Sequence, residues 1–184
     1  MRTLRSLLLA TCWALPVAAQ QALTTPQQAF GHQIGADYFL PTYTQLQRWW
    51  EQLAKQSNRI KLDTIGLTAE GRPQLMAILS SPANLARLEE YRRTSELLAR
   101  GRVDSSTARG LAQSGKAVVW IDGGLHADEV LGANQLLELV WQMVSMNDPE
   151  TLRILNDDII LAVQVNPDGM ELVANWYMRN ADSL

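Results

Sequence analysis

The chain has 184 residues, of which 47% are hydrophobic, and its formal net charge at pH 7 is −3. A chain of this size can bury a core large enough for one folded domain. The acidic balance, without a basic patch, excludes nucleic acid as an expected partner. Its single cysteine, Cys12, excludes a framework of internal disulfides.

The first nineteen residues have the composition of a secretory signal peptide. Arg2 and Arg5 are followed by a largely apolar run, Leu7–Val17, and small residues precede a cut near Ala19. We therefore expect export and a secreted or periplasmic location. No later apolar run is long enough to cross a bilayer, so we expect no stable membrane association. Without the two arginines, 14 of the 16 basic residues remain against 19 acidic ones.

Residues 20–41 show little periodicity and are expected to form an extended N-terminal arm before a domain that spans 42–184. Thr42–Gln45 fits a capping box, with a hydroxyl at the N-cap and glutamine three residues later. The helix that it opens has an apolar face, which predicts burial. That face consists of Leu46, Trp49, Trp50, Leu53 and Ala54.

Two strands and a helix are predicted next. Ile60–Ile65 and Leu75–Leu79 are β-branched or apolar runs on either side of a glycine-containing turn. Ser81-Pro82 is typical of an N-cap and first helical residue, and this helix is expected to run to about Ala99. Residues 101–116 are expected to be a loop or only weakly helical.

A strand–helix–strand unit follows. Ala117–Ile121 is a continuous apolar run, which predicts a strand buried on both faces. A helix is predicted from about Asp128 to Met146, a shorter one after Asp148-Pro149, and a second buried strand over Ile159–Val165. Because such a crossover joins parallel strands, the two strands should end at the same edge of the sheet.

His126 and Glu129 follow the first of these strands and are candidate zinc ligands. Neutral imidazole and carboxylate oxygen both bind Zn²⁺, and residues three apart on a helical turn face the same way. Ligand sites of open α/β sheets also lie at the carboxyl ends of strands. A loop histidine beside a first-turn glutamate that favours the helix dipole explains the same residue types without a metal.

Asn166-Pro167-Asp168-Gly169 follows the second strand and should lie beside the histidine and glutamate. Asn, Pro and Gly at its first, second and fourth positions predict a type I turn, which accounts for the residue types structurally. Contact of Asn166 or Asp168 with a substrate is the functional alternative.

The order of these motifs resembles the zinc carboxypeptidase family, the carboxypeptidase A-like exopeptidases. The resemblance consists of a strand, Gly-Gly-x-His126-x-x-Glu129, a helix, and a second strand ending in Asn166–Gly169. The upstream turn Glu70–Pro73 also looks like that family, and the likeness runs from about Tyr43 to Arg179. It implies an α/β fold with a mixed, largely parallel sheet flanked by helices, incomplete at the C-terminus.

The resemblance also implies an activity. A member of this family uses Zn²⁺ and a zinc-activated water to hydrolyse the last peptide bond, so peptide or protein C-termini would be the substrate. The family's third zinc ligand is a histidine downstream of Asn166–Gly169, and its general base is a glutamate beyond that histidine. No histidine follows His126, so this chain contains neither of these residues. We therefore expect a fragment: the N-terminal part of a catalytic domain, with no catalytic residue within this chain.

Two positions depart from the family's pattern. Asp128 stands where the best-known branch has an arginine that helps to polarise the scissile carbonyl. Arg179 precedes Asn180, whereas the family's carboxylate-gripping pair has the order Asn-Arg. We interpret Arg179 as a surface charge, with substrate contact as the alternative, because family members place arginines near the substrate in this region.

Two other functions stay open at this point. A zinc amidohydrolase of the aspartoacylase or desuccinylase type shares the fold and the His-x-x-Glu spacing, but the signal peptide argues against intracellular N-acyl amino acids as substrates. A secreted, non-catalytic binding domain on the same scaffold fits Asp128 and the missing third ligand.

Overall fold

A computed structural model describes residues 22–179, and the predicted signal peptide lies outside this range. The described part contains eight helices and four strands. In chain order these are α1 (Pro26–Phe30), α2 (Tyr43–Gln56), β1 (Ile60–Leu67), β2 (Pro73–Leu79), α3 (Pro82–Ala86), α4 (Leu88–Arg100), α5 (Ser105–Ser114), β3 (Ala117–Gly123), α6 (Val130–Ser145), α7 (Pro149–Asp157), β4 (Asp158–Gln164) and α8 (Pro167–Tyr177).

The four strands form one mixed sheet in the order β1-β2-β4-β3. β1 pairs with β2 as an antiparallel hairpin, and β2 pairs antiparallel with β4. β3 and β4 are parallel, with Ala117 opposite Asp158 and Gly123 opposite Gln164. A mixed sheet flanked by helices is therefore confirmed, although one of the three described pairings is parallel, a smaller share than the sequence predicted. The parallel pair is the predicted crossover.

The main core lies between one face of the sheet and the helices α2 and α6. Thr42 caps α2 through the predicted capping box with Gln45. Behind this cap, Tyr43, Trp49 and Trp50 are completely or almost completely buried. α6 contributes the apolar side chains Ala133, Leu136, Leu137, Val140, Met143 and Val144. The packing of α2 and α6 on this face fixes the position of the start of α6 relative to the sheet.

The N-terminal arm differs from the extended segment expected of it. It contains the short helix α1, which Thr25 caps with a second capping box. Phe30 and Phe39 of this arm are buried in the main core, and Phe30 contacts Trp49 edge to face, with ring centroids 5.1 Å apart. Apolar anchoring therefore fixes the arm against α2.

The opposite face of the sheet carries a smaller cluster that includes Ile78, Leu85, Tyr91 and Ile159. The single helix predicted here is two helices, because the backbone at Arg87 leaves the helical region (φ −109°, ψ 17°) between α3 and α4. The segment predicted to be a loop or weakly helical forms α5. Asp104 caps α5 by accepting hydrogen bonds from the backbone of Ser106 and Thr107.

The prediction that β3 is buried on both faces was wrong. Val118 is 45% exposed and Trp120 is 51% exposed. β3 is the outermost strand in this part of the chain, so one of its edges and much of its surface face solvent. Apolar composition alone could not distinguish a central strand from an edge strand. Trp176 was expected in the core from its place on an apolar helix face, but it is 65% exposed.

Among residues 22–179, no helix combines the length and the apolar character that crossing a membrane requires.

Candidate metal centre

Two glycines at the end of β3 allow the segment between β3 and α6 to lie close to the sheet. Gly124 has φ +75°, a conformation that favours glycine. A Cβ atom at Gly123 would overlap the carbonyl oxygen of Gly132, and one at Gly124 would overlap Nε2 of Gln164. The loop therefore crosses directly over the start of α6 and the end of β4, and this places His126 at the edge of the sheet.

His126 and Glu129 face each other at this edge. Nδ1 of His126 lies 3.0 Å from Oε2 of Glu129, and the two side chains are 66% and 71% exposed. Their proximity does not come from a helical turn as predicted, since α6 begins at Val130. It comes from a turn in which the Glu129 N–H donates to the carbonyl of His126 at 3.2 Å.

The second motif lies at the same edge, as the parallel pairing predicted. The side-chain amide of Asn166 donates to the carbonyl of Leu125 at 3.0 Å, so it contacts the loop that carries His126. The predicted type I turn is instead the beginning of α8. Asn166 is the N-cap, its side chain accepts from the Gly169 N–H at 2.9 Å, and Pro167 is the first helical residue.

Asp168 joins α8 to the turn between β1 and β2. Its carboxylate accepts hydrogen bonds from the Thr68 hydroxyl at 2.8 Å, the Glu70 N–H at 3.1 Å and Arg72 at 2.6 Å. Burial raises the pKa of Asp168, but these hydrogen bonds and the Arg72 charge outweigh it and hold the pKa below the ordinary value. The carboxylate therefore stays ionised and ties two distant parts of the chain together.

The remaining candidates lie around neighbouring grooves. Arg179 lines a surface groove with Glu70, Arg72 and Glu171, none of which lines the cavity beside His126. Asp128 lines a second groove together with the aromatic residue Trp176. The geometry thus brings His126, Glu129 and Asn166 together and leaves Arg179 outside this group. Substrate contact by Asn166, Asp168 or Arg179 stays a prediction.

Gln164 is a residue of this site that sequence analysis missed. It is completely buried at the end of β4, and its Oε1 accepts from the Asn166 N–H at 2.7 Å. It lines the same small cavity as His126 and Glu129. The available signal was a polar residue within the otherwise apolar run Ile159–Val165.

The histidine and glutamate fit two positions of a zinc site. Tetrahedral zinc with ligand bonds of 2.0–2.2 Å places two donor atoms about 3.3–3.6 Å apart. The 3.0 Å between Nδ1 and Oε2 would need to open by only a few tenths of an ångström. Within residues 22–179, no group of three or more histidine, cysteine, aspartate or glutamate side chains could hold a metal. The described residues therefore offer a pair of ligands.

The profile of the zinc carboxypeptidase family matches residues 46–183, which is three quarters of the chain. The chain belongs to the zinc carboxypeptidase family. Every candidate residue of the site lies inside the matched segment. The family implies zinc, and the pair of donors described above is compatible with it.

Solved structures with the same fold include carboxypeptidases. The structure of thrombin activatable fibrinolysis inhibitor is similar over 86% of this chain and 31% of that one, with 14% identity and a TM-score of 0.57. Carboxypeptidase A from Helicoverpa armigera is similar over 77% of this chain and 29% of that one, with 18% identity and a TM-score of 0.53. No curated protein sequence matches the chain.

This member of the family spans about a third of the length of the solved structures that it matches. At these identities the likeness shows the fold alone, an α/β unit with a mixed sheet.

Proposed function

We propose that this chain is the zinc-binding N-terminal part of an exported carboxypeptidase that removes residues from the C-termini of peptides or proteins. The observation that carries the proposal is the pair of donor atoms, Nδ1 of His126 and Oε2 of Glu129, 3.0 Å apart at the carboxyl end of β3. Family membership supports the reaction, and the composition of residues 1–19 supports export.

The histidine and glutamate would hold zinc. His126 would bind through the lone pair of Nδ1, which requires the neutral imidazole with its proton on Nε2. Glu129 would bind as a carboxylate, and its negative charge would offset part of the charge of the cation. When bound, zinc supplies a Lewis acid that activates water and polarises the scissile carbonyl.

The neighbouring polar residues support this pair. Asn166 fixes the carbonyl of Leu125, one residue before the histidine, and Asp168 fixes α8 to the β1–β2 turn. Because both side chains are engaged with the protein, we assign them to support of the site. Arg179 is exposed and remains the candidate among the three for meeting a substrate carboxylate.

Zinc affinity of the full 184-residue chain tests the metal site. His126→Ala should abolish binding at this site, measured by competition with a chromophoric chelator. His32→Ala is the matched control, because His32 is the only other histidine and stacks on Phe39 with ring centroids 4.3 Å apart. Equal affinity of the His126→Ala variant and the wild-type chain would reject the proposed site.

Activity tests the reaction class. With two described ligands, we expect the 184-residue chain to bind zinc weakly and to show no peptidase activity. We expect the reading frame to continue beyond Leu184 into a histidine and a later glutamate, and we expect the longer protein to cleave N-blocked dipeptides at the C-terminal residue. Cleavage of N-acyl amino acids instead would favour the amidohydrolase. A stop codon after Leu184 would favour the binding domain.

A further inference from the structure

The side chain of Gln164 is a buried amide that is only half satisfied. Its Oε1 accepts from the Asn166 N–H at 2.7 Å, but its Nε2 has no hydrogen-bond partner among the described residues. The residue is completely buried. Because a buried donor without a partner is costly, such a group indicates an interaction that the protein atoms alone do not provide.

The unpaired amide adjoins a small cavity beneath the loop that carries the metal ligands. Nε2 lies directly against Gly124, where a Cβ would overlap it. The cavity has a volume of about 20 Å³, and its polar lining includes Gln164, Asn134, His126 and Glu129. The rest of the lining is apolar, but a cavity of this size has room for one water molecule where two or more polar groups face it.

Glu129 needs an outer partner if it binds a metal. Its Oε2 faces His126, and Oε1 takes part in none of the hydrogen bonds found among residues 22–179. Carboxylates that ligate metals are themselves held by hydrogen bonds from a surrounding layer of residues, and these bonds orient the ligand. Gln164 is the buried side chain beside this cavity with a donor that is still unused.

We propose that Gln164 is a positioning residue for the metal ligand Glu129. Nε2 donates to one water in the cavity, and this water donates to Oε1 of Glu129. The carboxylate is thereby held with Oε2 towards Nδ1 of His126. Gln164 touches neither substrate nor metal in this arrangement. The inference rests on the proposed zinc pair and adds to it a residue from the neighbouring strand.

Gln164→Met tests the role, because methionine has a similar shape but no N–H. We expect zinc affinity of the full chain to fall roughly 10- to 100-fold. The melting temperature of the metal-free chain should stay nearly unchanged. The substitution removes a buried donor that has no partner among the described residues, which offsets the loss of the acceptor for the Asn166 N–H. Gln74→Met is the matched control, because the Gln74 amide already donates to the Val165 carbonyl at 3.2 Å. Unchanged zinc affinity in Gln164→Met would overturn the role, and so would an equal loss in both variants.

A second measurement uses the unaltered side chain. The side-chain N–H₂ resonances of Gln164, assigned by their loss in the methionine variant, should shift when zinc is added and should exchange slowly with solvent. If the His126 ring resonances shift and those of Gln164 do not, the positioning role fails while the zinc site stands. If neither shifts and His126→Ala binds zinc as the wild type does, the proposed function fails.

Discussion

Replacing Gly124 by alanine would probe how closely the ligand-bearing loop must approach the sheet. Gly124 has φ +75°, and an added methyl group would overlap the buried amide of Gln164. The left-handed conformation costs an alanine about 1–2 kcal/mol. Relief of the overlap in a packed site costs about 1–3 kcal/mol more. We therefore expect the free energy of unfolding to fall by about 2–5 kcal/mol.

Gly110→Ala provides the control for the same chemical change. Gly110 lies within α5, and nothing lies within 4 Å of a Cβ added there. Alanine in a helix interior is favoured over glycine by about 0.5–1 kcal/mol, so this variant should gain stability. Urea unfolding of the full chains, followed by tryptophan fluorescence, measures both changes. A Gly124→Ala chain within about 0.5 kcal/mol of the wild type would refute the close approach.

The same substitution should weaken zinc binding, because the loop shifts only two residues before His126. A destabilised Gly124→Ala chain with wild-type zinc affinity would show that the loop moves independently of the ligands.

Three further outcomes are expected. Hydrogen bonds hold the pKa of Asp168 low, so Asp168→Asn should be less stable than the wild type at neutral pH. This difference in stability should vanish as the pH falls through the folded-state pKa. Urea unfolding of both chains from neutral pH to about pH 2 checks this, and a difference that persists in acid contradicts it. The buried Asn84 amide donates to the Ser80 hydroxyl and to two carbonyls of α7. Asn84→Ala should therefore lower the free energy of unfolding by about 1–3 kcal/mol in the same assay. An unchanged free energy would refute a stabilising role for these hydrogen bonds. β3 is an exposed edge strand, and a lysine on such a strand opposes pairing with the edge of another chain. Val119→Lys should therefore reduce self-association, measured by sedimentation velocity, without loss of stability. Unchanged association would contradict a role for this edge in self-association.

Local patterns predicted where α2, α3 and α7 begin. The capping box at Thr42 begins α2 as expected. An N-cap residue followed by proline as the first helical residue likewise begins α3 at Ser81-Pro82 and α7 at Asp148-Pro149. Each signal lies within a few residues of the element that it begins. The residues that form the sequence pattern also make the stabilising contact. The start of each helix can therefore be predicted without knowledge of distant contacts.

Features that depend on distant partners were less predictable. The burial of Val118 and Trp120 depends on which strand lies beside β3, and a run of apolar residues carries no information about that neighbour. Asn166-Pro167 illustrates a different difficulty, because the same two residues suit a type I turn and the start of a helix. The continuing helix is decided by the apolar residues Met170 and Ala174, which pack on the protein.

The sequence indicated the candidate pair of ligands, whose binding of zinc stays a prediction, but not the residues that surround the pair. His126 and Glu129 stand out because their residue types bind zinc and their spacing brings them together. Gln164 became visible only once the fold placed it under the loop, since one buried glutamine resembles any other polar residue in a strand. The bonds of Asp168 to residues about 100 positions earlier likewise require the folded chain.

The position of β4 in the sheet constrains the order in which the strands can assemble during folding. Among the strands of residues 22–179, β4 comes last in sequence but lies between β2 and β3, and it pairs with both. β1 and β2 can form their hairpin early, whereas β3 must wait for β4, some 40 residues later. Until then the loop that carries His126 lacks the end of β4 on which it packs. The geometry of the candidate ligands therefore arises only after β4 has inserted between β2 and β3.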